Sequence, residues 1–172
     1  MGSRGRSKLK SMTLCVRHED RQRLTSHIQT PGEDPFRIKG YVKSLLRGLE
    51  GNDKIRKIIA TCKHYVGNDM ERWSGVVRYG FDAIISLQDL SEYYLPPFQQ
   101  CARDSKVGSM MCSYNAVNGT PACASSYLMN DILREHWGWT EHNNPITSDC
   151  NAIRVCSPFR RTVVEKFTGL TG

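Results

Sequence analysis

The 172-residue sequence contains no apolar run approaching the roughly 18 residues a membrane-spanning helix needs, so no membrane partner is expected. Its opening, MGSRGRSKLK, is basic, but no apolar segment follows, and no signal peptide is expected. Seven cysteines are present, an odd number, and none stands in a CxxC pair, which removes zinc-type spacing. There is no glycine-rich phosphate loop and no GxSxG, so phosphate-cradling and nucleophile-elbow chemistries are set aside. Metal-ligating side chains are not clustered. His64 and Asp149 alone make a poor metal site, and neither a metal nor an organic cofactor is expected.

The net charge of +7 is unevenly placed. Residues 1–27 carry +5, residues 154–172 carry +3, and the patterned middle carries −1. Basic tails bind polyanions without any built site. Confined to the two ends, the charge reads as solvated segments, and no nucleic-acid partner is expected.

The middle of the chain is periodic. TPGEDPF is turn chemistry ending in Pro35, suited to a first helical position. FRIKGYVKSLLRGLEG then spaces Ile38, Tyr41, Val42, Leu45, Leu46 and Leu49 as an amphipathic helix stopped by Gly51. KIIATCKHYV predicts a buried strand to about Cys62, turning polar at Lys63 and His64. GNDMERWSGVVRYGFDAIIS is mixed and reads as loop-rich. LQDLSEYYLPPFQQCARDSK is a second helix, which Pro96 and Pro97 are expected to break or kink. VGSMMCSYN is a strand ending on Tyr114 and Asn115. SSYLMNDILREHWG is a third helix, from Ser125 or Ser126 to Gly138. PITSDC is a third strand, ending on Asp149. No element is expected in residues 1–27. Alternating helix and strand implies a parallel sheet with crossover helices. Three or four such units cannot close a barrel that takes eight.

Each strand ends in polar residues, and α/β folds build their sites at the C-terminal ends of strands. One carboxylate, a Lys-His pair and a Tyr-Asn pair therefore converge. A carboxylate among hydrogen-bond donors suits glycoside hydrolysis, in which it attacks the anomeric carbon while donors hold the sugar hydroxyls. Lys63 beside Asp149 would keep that nucleophile ionised. Cys150 has no evident base and is not read as a nucleophile. Trp137 reads as packing. Trp73, Asp69 and Glu71 follow the Lys-His strand and are open to either packing or substrate contact. Cys112 and Cys123 flank a turn-rich stretch and would close a loop in an oxidising compartment. Asn118-Gly119-Thr120 is a glycosylation sequon, meaningful in a secreted chain.

Taken together, TPGEDPF, ATCKHYV, QDLSEYYLPPFQQCARD, MCSYNAVNGTPAC, ILREHWGWTE and ITSDCNAI resemble glycoside hydrolase family 3, in its fungal β-xylosidase and β-glucosidase branch. The resemblance runs from about Gln29 to Ile153. It implies an α/β fold, a (β/α)8 TIM-type barrel domain that is here partial, and a retaining exo-β-glycosidase, xylosidase-like, acting in the breakdown of plant cell-wall xylan. It implies Asp149 as nucleophile, and Lys63, His64, Tyr114 and Met111 as binding residues for a β-linked xylo- or gluco-oligosaccharide. It also implies an extracellular location.

The departures from the family pattern fall at the ends. The arginine-bearing run that precedes TPGEDP in the family is not matched, and Arg21 and Arg23 lie nearby but outside any motif. The family's upstream strand is expected to be missing. The family takes its general acid/base from a second, α/β-sandwich domain, which is expected to be missing as well. Segments 1–28 and 154–172 are off pattern, and 29–153 is the partial barrel domain. The chain is accordingly expected to be a piece of such an enzyme, poorly active alone. The alternative is a non-catalytic sugar-binding or partner-binding remnant.

Overall fold

The computed structural model describes residues 11–15, 31–51, 56, 58–141, 144–150 and 152. Nine strands are described among them: β1 (Ser11–Cys15), β2 (Ile59–Tyr65), β3 (Arg72–Trp73), β4 (Val76–Val77), β5 (Asp82–Ala83), β6 (Ser109–Cys112), β7 (Ala116–Val117), β8 (Thr120–Pro121) and β9 (Ile146–Ser148). The main sheet has the order β1-β2-β6-β9, and every pair in it is parallel. This is the expected α/β architecture. The four strands are half the number that closes a (β/α)8 barrel, so the barrel among the described residues is partial.

One strand overturns an expectation. β1 lies in a segment where no element was expected, yet it pairs with β2 from Ser11↔Ile59 to Cys15↔Lys63. SMTLC alternates polar and apolar residues, but over five positions only, a short signal inside a segment of no sustained period. The strand is fixed by the neighbour it pairs with.

Helix α1 (Pro35–Glu50) starts as its sequence dictates. Asp34 caps it by accepting from the Phe36 N–H at 2.8 Å, and Pro35 occupies the first turn. Gly51, at φ +79°, ends it. Ile38, Val42, Leu46 and Glu50 form its buried stripe.

The second helix, α2 (residues 87–104), is not broken by its prolines. It runs as α-helical turns over Leu87–Asp89 and Leu95–Gln99 and as wider π turns over Leu90–Tyr94 and Gln100–Asp104. Pro96 and Pro97 have no N–H to donate. They follow a π turn closed by the Leu95 N–H on the Leu90 carbonyl, which gives their rings room. The third helix, α3 (Tyr127–His136), is also π-helical, and Gly138 follows it at φ +61°.

A cluster of buried apolar side chains fills the space between sheet and helices: Cys62, Tyr65 and Met110 from the sheet, Ile38 and Val42 from α1, Phe98 from α2, and Leu128 and Leu133 from α3. The Tyr65 hydroxyl donates to the Leu128 carbonyl at 3.1 Å, and its ring meets Phe98 edge-on. Trp137 and Trp139 are packing residues. The Trp139 indole N–H donates to the Val107 carbonyl at 2.7 Å. Two disulfides staple the core: Cys62–Cys101 joins β2 to α2, and Cys112–Cys123 closes the loop after β6.

At the foot of the sheet, the buried carboxylate of Glu50 accepts the Ala60 N–H at 2.9 Å and the Gly108 N–H at 3.0 Å, both on Oε1. Arg56 Nε lies 3.1 Å from its Oε2, and the guanidinium also donates to the Lys106 carbonyl. The end of α1 is thereby tied to the starts of β2 and β6. Gly108 is required there, because a Cβ would stand 2.9 Å from Ile59 and 3.1 Å from Glu50 Oε1.

Two small ribbons lie beyond the main sheet. β7 and β8 are joined by Asn118-Gly119, both at positive φ as a tight hairpin turn requires. The Asn118 side-chain amide pairs with Ile85 like a strand: Oδ1 accepts the Ile85 N–H and Nδ2 donates to the Ile85 carbonyl, each at 2.8 Å. β3 and β4 form the other hairpin, through Ser74-Gly75, again both at positive φ. The sequence marked this segment as mixed and loop-rich, and did not pick out the hairpin within it.

Candidate active site

Three neighbouring strands of the sheet deliver the polar residues to one end. β2 ends with Lys63 and His64, where its register against β6 shifts between Cys62 and Tyr65, and the Lys63–His64 and Tyr65–Val66 peptide bonds are cis. β6 runs on through Ser113, whose N–H bonds to the Tyr65 carbonyl, to Tyr114. β9 ends one residue before Asp149, whose N–H continues the ladder to the Cys112 carbonyl.

Asp149 is held at both oxygens. His64 Nε2 lies 3.1 Å from Oδ2, and the Cys150 N–H donates to Oδ1 at 2.7 Å. Both side chains are largely enclosed, 10% exposed for His64 and 14% for Asp149. Burial pushes the Asp149 carboxyl up. The hydrogen bonds from His64 and the Cys150 N–H, with the charges of His64 and Lys63, outweigh it and hold the group below the usual carboxylate range.

Tyr114 donates to the Cys150 carbonyl at 2.6 Å. Its own proton is held more tightly than in a free tyrosine, first through burial and then through the adjacent Asp149 charge, against an opposing pull from Arg78. Met111 pairs in register with Thr147, two residues before Asp149 in the chain, so it stands on the strand next to the one that leads to Asp149.

The structure thus brings Asp149, His64 and Tyr114 together, with the Lys63 charge acting on the same carboxylate. Cys150 contributes backbone groups, and its thiol is exposed. Asp69 hydrogen-bonds the Tyr94 hydroxyl of α2. Glu71 forms an ion pair with Arg78 at 3.2 Å. Arg78 is the site residue that sequence reasoning missed. Its guanidinium sits over the Tyr114 ring, 5.0 Å from the centroid, with Tyr79 6.3 Å from the same ring. The signal was available: ERWSGVVR places a Ser-Gly turn midway between Glu71 and Arg78.

An ionised carboxylate fixed between two donors, beside a protonated tyrosine, can attack an electrophilic carbon. Among the described residues, the groups acting on this carboxylate are His64, the Cys150 N–H and Lys63. Among the described residues no group of three or more His, Cys, Asp or Glu is arranged to hold a metal ion.

Comparison with known proteins supplies the context. Residues 13–165 match the family model for the glycosyl hydrolase family 3 N terminal domain. The chain is 51% identical over 154 residues to a probable exo-1,4-beta-xylosidase, bxlB, of Aspergillus fumigatus, covering 88% of this chain and 20% of that protein. It is 57% identical over 127 residues to a probable exo-1,4-beta-xylosidase, xlnD, of Neosartorya fischeri, covering 73% and 16%. Among solved structures, an exo-beta-xylosidase (XlnD) in complex with a xylobiose aziridine activity-based probe superposes with a TM-score of 0.71 at 44% identity, over 74% of this chain and 17% of that one. Beta-glucosidase 3B of Thermotoga neapolitana, in complex with glucose, gives 0.65 at 26% identity, over 80% and 18%. The chain spans about a fifth of the length of the curated relatives it matches.

Proposed function

This chain belongs to glycosyl hydrolase family 3, and we propose from that premise that it carries the nucleophile and part of the sugar-binding subsite of a retaining exo-β-xylosidase. The observation that carries the reading is the Asp149 carboxylate held ionised by His64 and the Cys150 N–H at the C-terminal end of a parallel sheet.

In the proposed reaction an Asp149 oxygen forms a bond to the anomeric carbon as the bond to the leaving oxygen breaks. A second carboxyl group protonates that oxygen and later deprotonates the incoming water, which cleaves the glycosyl ester and returns the carboxylate. Lys63 and His64 donate to hydroxyls of the terminal sugar, strengthening as the oxocarbenium-like state develops. Tyr114 keeps its proton and orients the carboxylate through its neighbouring hydrogen bonds. Met111 lines the pocket wall. The named activities of the relatives favour xylose over glucose as the sugar released, from β-linked xylo-oligosaccharides of plant cell-wall xylan. Two disulfides favour an oxidising, extracellular location.

A fluorinated sugar bearing an activated leaving group tests the nucleophile alone, because its departure needs no acid. Incubation with 2,4-dinitrophenyl 2-deoxy-2-fluoro-β-xyloside is expected to leave one fluoroxylosyl group on the peptide holding Asp149, and none on Asp149→Asn. A folded chain that gains no adduct, or gains it on another residue, would overturn the assignment.

A further inference from the structure

Lys63 and His64 sit where the ladder between β2 and β6 breaks. Cys62 pairs with Met110 and Tyr65 with Cys112, so three steps along β2 answer two along β6. Regular pairing with β6 therefore does not set the direction of His64, and such irregularities re-aim side chains beside functional sites. Its place depends on how the chain is anchored on either side.

On the near side, the Cys62–Cys101 disulfide holds β2. On the far side, the anchor is Ser113-Tyr114-Asn115. The Ser113 N–H donates to the Tyr65 carbonyl at 2.9 Å. The Ser113 hydroxyl and the Asn115 side-chain amide both donate to the Val66 carbonyl, at 3.0 Å and 3.2 Å. That oxygen has two lone pairs, and the two donors fill them. The two carbonyls that follow His64 are thereby fixed. Gly67 then packs without slack, since a Cβ there would stand 3.1 Å from Ile85 Cδ1 and 3.5 Å from Asn115 Nδ2. Tyr114, between the two donors, bonds instead to the Cys150 carbonyl beside Asp149.

Asn115 is a costly choice for packing alone. It is 1% exposed, and its Oδ1 is buried with no hydrogen-bond partner among the described residues. An unpaired buried polar atom lowers stability, which an apolar side chain of similar shape would avoid. What the amide supplies is its donors, to the Val66 carbonyl and to that of Ala116.

We infer that Ser113 and Asn115 are positioning residues for the reaction of Asp149: by clamping Val66 they hold the His64 imidazole on the nucleophile. The inference rests on the glycosidase reading above. Both act through the backbone of β2 and neither touches the sugar. Loosening the clamp lets His64 drift from its 3.1 Å contact, and small misplacements at a reacting centre cost rate.

The fluoroxyloside reagent separates positioning from folding. The plateau of labelling counts competent chains, and the rate at saturating reagent reports their geometry. Ser113→Ala and Asn115→Leu are each expected to slow labelling of the full chain about fivefold, the weight of one hydrogen bond. The double variant is expected to slow it by more than their product, about 25-fold, since the two donors share one oxygen. The plateau is expected to stay at one group per chain throughout. Variants that label at the wild-type rate refute the clamp. So do variants whose plateau falls while the remaining chains label at the wild-type rate, the signature of a purely structural role. If the wild-type chain itself gains no adduct, the nucleophile reading falls and takes the clamp with it.

Discussion

Removing the Glu50 carboxylate should cost more than any single surface contact, and by an amount the structure allows to be worked out. Glu50 is 5% exposed and accepts three donors, the N–H groups of Ala60 and Gly108 and the Arg56 guanidinium. Glu50→Ala leaves two buried backbone N–H groups without an acceptor, at about 1–3 kcal/mol each. Arg56 is partly exposed and can turn to water, so loss of its pair adds little. The expected destabilisation is about 3–5 kcal/mol, or a fall in Tm of roughly 10–15 °C for a chain of this size. Glu50→Gln keeps an oxygen where both N–H groups point and loses only the charge, for about 1–2 kcal/mol. Urea titrations of the three proteins, with thermal melts followed by circular dichroism, read both shifts. An alanine variant within about 1 kcal/mol of wild type would refute the clamp. So would a glutamine variant as unstable as the alanine one, since backbone satisfaction would then not be what Glu50 supplies.

Two further outcomes follow from the same structure. Cys62 and Cys101 are 39 residues apart and Cys112 and Cys123 are 11 apart, so chain entropy predicts losses of about 4 and about 3 kcal/mol when each pair is replaced by alanine. Urea titration of the two double variants should preserve that order, and a reversed order would refute it. The folded Asp149 carboxyl is depressed, so its contribution to stability is fully present above the unfolded value of about 3.9 and is lost as pH falls through the lower folded value. Asp149→Asn should remove that part of the acid-side slope in the stability–pH curve, and an unchanged slope would contradict it.

Much of the fold was legible because local and long-range signals agreed. Helix α1 carried its cap, its proline, its stripe and its stop within one segment. At the α2 prolines a break or a kink was expected, and π turns let the chain continue without a break. β1 was passed over because its alternation lasts only five residues, and its pairing with β2 is what identifies it as a strand. The Cys62–Cys101 pair was not foreseen, since it requires β2 and α2 to be already adjacent. Glu50 runs against sequence expectation: a negative charge at a helix C-terminus opposes the helix dipole. Only the donors that converge on it from β2, β6 and Arg56 explain it. At the site, Asp149, His64, Lys63 and Tyr114 stood out as strand-end polar residues. Arg78 did not, because its role depends on a hairpin within a segment read as loop-rich.

Asn118 carries a consequence for the chemistry of the chain's surface. Of the two hydrogens on a primary amide nitrogen, the one on the same side as the carbonyl oxygen lets the amide grip Ile85 with oxygen and nitrogen together. A sugar linked to an asparagine takes the place of that same hydrogen, as the next α-carbon does in a trans peptide. Glycan attachment and the two-point grip on Ile85 therefore exclude one another. In the conformation described here the sequon is occupied by the protein's own backbone, and an oligosaccharide could be added only to a chain in which that ribbon had not yet closed.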